Sequence, residues 1–68
     1  MKDKKIEQSY TRTFGTADGA RVLEHLRSLT VMRFLGSDAT DNQLRHLEGQ
    51  RALVRQIEMI IERGKQNA

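Results

Sequence analysis

The chain contains no cysteine, which excludes disulfides and thiolate metal sites and is compatible with a reducing cytoplasmic setting. Aromatic residues are scarce, with one Tyr, two Phe and no Trp. Tyr10 and Phe14 sit at packing positions, so little aromatic surface is left for stacking on bases. No apolar run exceeds a few residues, so neither a signal peptide nor a membrane span is expected. Charge of one sign is lacking too. Twelve basic residues face nine acidic ones for a net charge of +3, and the signs interleave. Such a pattern reads as a solvated, salt-bridge-laced surface more than as a nucleic-acid footprint. Lys2, Lys4 and Lys5 form the one local basic cluster. At 68 residues the chain is near the lower limit for a fold with a single core and no staples. It reads as one small helical domain, 1–68, with 1–3 and 65–68 as flexible tails.

What the sequence does have is helical periodicity. From Leu44 to Arg63 the residues Leu47, Leu53, Val54, Ile57, Ile60 and Ile61 fall within an arc of roughly 140° at 100° per residue. His46, Gly49 and Gln50 interrupt that face, and Arg45, Glu48, Arg55, Glu62 and Arg63 lie opposite. Asp38, Thr40 or Asp41 caps this helix, and Arg63 with Gly64 marks its end.

Two shorter segments precede it. Over residues 4–14, Ile6, Tyr10 and Phe14 recur at i, i+4, i+8, and Gly15 is placed as a left-handed stop. Thr16 then caps a helix over about 17–30, with Asp18 complementing the N-terminal dipole. Val22, Leu23, Leu26 and Leu29 make its narrow apolar stripe, and β-branched Thr30 and Val31 weaken it. Gly36-Ser37-Asp38 supplies a turn. The expected fold is all-α: an antiparallel αα-hairpin of 17–30 and 41–63, with the helix over 4–14 lying across it through Ile6, Tyr10 and Phe14. Gly19 and Gly49, each about 1 kcal/mol worse than Ala inside a helix, read as points of close backbone approach, with a hinge or ligand-approach site as the other possibility.

Residue chemistry points away from an enzyme. His25 projects to a polar side and His46 towards the apolar face, not at metal-ligand spacing, so His46 reads as a satisfied, partly buried side chain. Glu24 and Glu48 sit among arginines at ion-pairing distance, which favours structural pairs over paired catalytic carboxylates. Ser9, Ser28 and Ser37 have no His-plus-acid arrangement near them, and no glycine sits in a phosphate-binding strand–loop–helix context. No catalytic residue, cofactor or metal is expected. Arg45, Arg51, Arg55 and Arg63 on the last helix offer a track for phosphates. Glu48, Glu58 and Glu62 share that surface and oppose it, and the segment joining the helices is too long for a helix-turn-helix reader. A protein partner fits better. Leu44 and Met59 fall off the main apolar face, and Val31, Met32, Phe34 and Leu35 add more apolar surface than a two-helix core covers easily. The candidate partner-binding residues are Leu44, Arg51, Arg55, Met59, Phe34 and Met32.

The stretch Phe14-Gly15-Thr16-Ala17-Asp18-Gly19-Ala20-Arg21-Val22-Leu23 resembles the F-x-T-x-D-G-x-R-V-L opening of a family of short tailed-bacteriophage proteins first catalogued in a Bordetella phage. Val31-Met32-Arg33 with Gly36-Ser37 is similar to that family's middle loop, with fewer aromatics, and Glu48-Gly49-Gln50-Arg51 to its E-G-x-R signature. The likeness spans roughly residues 10–62. It implies a context, genes near those for heads and packaging, and no reaction. The matched positions Asp18, Gly19, Arg21, Glu48, Gly49 and Arg51 suit a structural role. Asp18 and Gly19 start the second helix, Gly49 lets the hairpin close, and Glu48 pairs with Arg51 or with Arg21 across the hairpin. Two functions follow as expectations. One is a non-enzymatic virion accessory subunit, assembled in the host cytoplasm, bound to portal, head or head–tail connector proteins in multiple symmetric copies or as a homo-oligomer, with the Lys2/Lys4/Lys5 tail ordering on the partner. The alternative is an intracellular regulatory protein that binds a host or phage protein, or DNA.

Overall fold

In the computed structural model, which describes residues 3–67, each helix begins on a side chain that takes up otherwise orphaned backbone N–H groups. Asp3 accepts from the N–H groups of Lys5 and Ile6 and opens α1, Lys4–Phe14. Thr16 accepts from Gly19 N–H at 2.9 Å and opens α2, Ala17–Leu29, as its sequence context predicts. Of the three candidate caps for α3, Asp41–Gln66, it is Thr40 that acts. Its hydroxyl accepts from Gln43 N–H while the Gln43 side chain accepts from Thr40 N–H, a reciprocal capping box that neither Asp38 nor Asp41 could form at this spacing. The chain is all-α, with no strand among the described residues, and no helix among them is long and apolar enough to cross a membrane.

The helices run in the expected order. α2 lies antiparallel to α3: Leu23 and Ile61 line one cleft, Arg27 pairs with Glu58 at 2.6 Å, and Arg51 reaches Thr30. The closest and most extensive approach to α3, however, is made by α1. α1 crosses the last third of α3 at Gly64, where a Cβ would overlap the Thr11 hydroxyl and the Glu7 carbonyl oxygen. Thr11 Oγ1 seals the crossing by donating to the Ile61 carbonyl at 2.7 Å. Gly64 is therefore a contact point inside the helix, not its stop. α3 continues to Gln66, and Asn67 Nδ2 donates to the Glu7 carboxylate at 2.7 Å. Residues 65–67, expected as a free tail, are held by this packing, since tertiary contact and not propensity carries most helical stability. Asp3, likewise expected in a tail, is a cap, and Lys4 and Lys5 are helical. Lys2 and the other tail residues 1 and 68 lie outside the described residues.

Two further expectations change. Gly15 has φ −84° and ψ −6°, a right-handed corner with no left-handed stop, and no glycine among the described residues has positive φ. Here α1 passes directly into the Thr16 cap, so no reversal is needed. On α1, the side turned to α3 is Glu7 and Thr11. Glu7 is 5% exposed, whereas Ile6 stays open and Tyr10 and Phe14, stacked at 6.2 Å between ring centroids, are half-buried beside Ile57. Leu47, Val54, Ile60 and Ile61, all on α3, are the buried apolar residues. Ile57 is half-buried, and Leu53, the sixth of the predicted arc, is 59% exposed. The molecule is elongated, 45 × 26 × 13 Å with a radius of gyration of 14.2 Å, against about 11 Å for a compact chain of this length.

The two glycines that the sequence presents as equivalents separate here. At Gly19 a Cβ would overlap the Thr13 carbonyl and stand 2.7 Å from Phe14 Cα, so this glycine is what lets α2 start against the end of α1. At Gly49 a Cβ meets nothing within 4 Å. Gly49 therefore does not let the hairpin close, because no neighbouring element reaches that side of α3. Gly49→Ala is expected to raise stability by up to about 1 kcal/mol through helix propensity alone, measured by urea unfolding followed by far-UV circular dichroism.

Candidate protein-interaction surfaces

The segment joining α2 to α3 is held from α3 by one side chain. Arg51 Nε donates to the Thr30 carbonyl at 2.9 Å, Nη2 donates to the Arg33 carbonyl, and Nη1 meets Glu48 Oε1 at 2.5 Å. The planar fork suits this: its donors point in fixed, divergent directions that a lysine ammonium does not reproduce. The carbonyls it takes belong to the end of α2, where helical partners run out. Thr30 adds its own closure, its hydroxyl donating to the Leu26 carbonyl at 2.7 Å. With its side chain 18% exposed, Arg51 is an internal clamp and not an open partner contact. Of the two partners foreseen for Glu48, Arg51 is the one it takes. Arg21 pairs instead with Asp18 at 3.5 Å, both strongly exposed.

The clamp gives the connector a defined shape. Val31 and Leu35 are half-buried, and Leu35 and Ala39 lie towards Leu47 in the first half of α3. The turn at Gly36 closes with Ala39 N–H donating to the Gly36 carbonyl at 3.0 Å. Met32 and Phe34 are left on the outside, 58% and 88% exposed. Leu44, in the first turns of α3, is exposed at the same end of the molecule. Met59 and Arg55 are also exposed, on the outer side of α3 where the helical spacing puts them. Of the six candidate contact residues, five are at the surface and Arg51 is not.

His46 is exposed, not partly buried as its position on the apolar face suggests, and its Nε2 stands 3.2 Å from Gln50 Nε2. α1 crosses too far along α3 to cover it. Glu24 lines a cleft with Arg27 and Lys65 near the end of α3, whereas Glu48 is engaged in the first half of that helix. Ser28 Oγ donates locally to the His25 carbonyl at 2.6 Å. Among the described residues no three His, Asp or Glu side chains converge as a metal would require. Sequence reasoning missed Glu7, Thr11 and Asn67, which together tie the two ends of the chain. The signal available was the i, i+4 placement of Glu7 and Thr11 on the side of α1 away from Ile6.

The exposed features of this small helical module are apolar and aromatic side chains on a braced scaffold. The family model for Bbp19-like phage proteins matches residues 10–65, and the chain belongs to that family. No curated protein and no solved structure matches it.

Proposed function

We propose that this phage protein is non-enzymatic and acts by binding another protein, as a virion accessory subunit on the portal, head or head–tail connector. The observation that carries the reading is Phe34, 88% exposed on a connector that Arg51 braces from beneath. An aromatic held out by a rigid support loses little freedom on binding, which is how interface anchors concentrate affinity. Met32 beside it in sequence offers an adaptable apolar surface. A phosphate-tracking role is less well supported, because Arg51, one of the four arginines it would use, is turned inward.

The test is mass spectrometry of density-purified phage particles from the source lysate. Peptides of this chain at a fixed stoichiometry support the virion reading. Their absence from particles, with the protein abundant in the infected cell, overturns it in favour of an intracellular partner. Phe34→Ala is expected to shift stability by less than about 0.5 kcal/mol, as surface substitutions do, and to lower the copy number in particles.

A further inference from the structure

A second apolar surface lies away from the connector. One groove is lined by Ile6, Tyr10, Phe14 and Ile57, another by Leu26, Leu29, Leu53 and Ile57. Ile57 belongs to both, so the two form one strip that crosses all three helices. Along it Leu53, Leu29 and Ile6 are 59%, 47% and 37% exposed.

From this strip we infer that the chain pairs with a second copy of itself, the α3 helices crossing antiparallel near Leu53. The area argues for it. The chain exposes 5418 Å², whereas a self-sufficient monomer of its mass exposes about 4,400 Å². The excess, on the order of 1,000 Å², matches the roughly 800 Å² that one partner gives to a standard interface. The buried apolar residues all come from one helix, which leaves α1 and α2 with apolar stripes that only a further surface can cover.

Charge and shape point to a self-pairing. The α3 residues on this side, Asn42, His46, Gly49, Leu53, Gln56 and Ile57, include no Asp, Glu, Lys or Arg. A two-fold interface sets a patch against itself, so fixed charges near its axis would face their like, and this strip has none there. Gly49, Leu53 and Ile57 lie on one i, i+4 ridge of α3. With the axis at Leu53, the open space at Gly49 receives Ile57 of the second copy, and the reverse. The absent side chain at Gly49, which has no role within the fold, thereby acquires one. This pairing does not depend on whether the protein is packaged.

Sedimentation equilibrium of the purified full chain from low to high micromolar concentration tests it, with thermal melts at each concentration. The wild type is expected to sediment as a dimer, with Tm rising as concentration rises. Leu53→Asp and Gly49→Glu are each expected to weaken the dimer by about 30-fold or more, as loss of a central interface residue does. Gly49→Glu keeps the result interpretable even if Leu53→Asp fails to fold, since its side chain enters open space and improves helix propensity. Met59→Asp, exposed on the other side of α3, is expected to leave association unchanged. A wild type that is monomeric throughout, a Gly49→Glu dimer as tight as wild type, or equal dissociation by Met59→Asp would overturn the inference.

Discussion

Arg51→Ala is expected to destabilise the domain by about 3 kcal/mol, with a Tm more than about 10 °C lower in a domain of this size. The side chain donates from a charged group to two backbone carbonyls, those of Thr30 and Arg33, and a hydrogen bond to a charged group contributes roughly 1.5–3 kcal/mol. Thr30 is buried, so its carbonyl has no ready access to water once the guanidinium is gone. Arg51→Lys is expected to recover less than half of the loss, because a point charge on a flexible stem holds one carbonyl at best. Glu48→Gln is the contrast. Glu48 is exposed at its end of the pair, and losing such an ion pair changes stability by about 0.5 kcal/mol or less. Thermal and urea unfolding at one fixed protein concentration reads all three. An Arg51→Ala protein as stable as the wild type would mean that the connector is not held this way.

Gly64→Ala is expected to cost about 2 kcal/mol despite improving helix propensity. The added methyl overlaps the Thr11 hydroxyl and the Glu7 carbonyl oxygen, and it also stands 2.9 Å from the Glu7 carbonyl carbon. Two of these three atoms are backbone, so α1 and α3 must separate. Separation breaks the Thr11–Ile61 hydrogen bond and strains the Asn67–Glu7 tie. Overpacking costs typically about 1–3 kcal/mol and sometimes more, against about 1 kcal/mol gained from replacing glycine in a helix. The same substitution at Gly49 is stabilising, so the two alanine variants are expected to move unfolding midpoints in opposite directions. Midpoints that shift together would show that α1 does not cross α3 at Gly64.

The difference between those glycines shows where sequence reasoning stops. Caps are legible, since Thr16 and Thr40 stand at the required distance before an apolar run and need only local geometry to act. The α3 core is legible for the same reason: four of the six residues in the predicted arc are buried. Which element covers α3 is not. Periodicity says that a face is apolar but not what reaches it, and the α1–α3 crossing depends on a glycine and a threonine fifty-three positions apart in the chain. Gly64 beside Arg63 looks like a helix stop from its neighbours in sequence, and only the position of α1 makes it a contact. Arg51 is a similar case. Its partners are carbonyls of the connector, and backbone acceptors leave no trace in residue identity. Phe34 stands out in the sequence because no local partner at helical spacing claims it, which is why the candidate surface is partly readable.

The most direct test of action through the connector is a competition inside the infected cell. Wild-type chain and Phe34→Ala are co-expressed at equal levels during infection, particles are purified by density, and the ratio of the two is read from their Phe34- and Ala-containing peptides. Both forms fold equally well if Phe34 serves only as a contact, so abundance in the cell provides the internal reference. The account predicts wild type enriched over the variant in particles relative to the lysate. An equal ratio in particles and lysate would contradict it, because the most exposed aromatic side chain would then contribute nothing to recruitment.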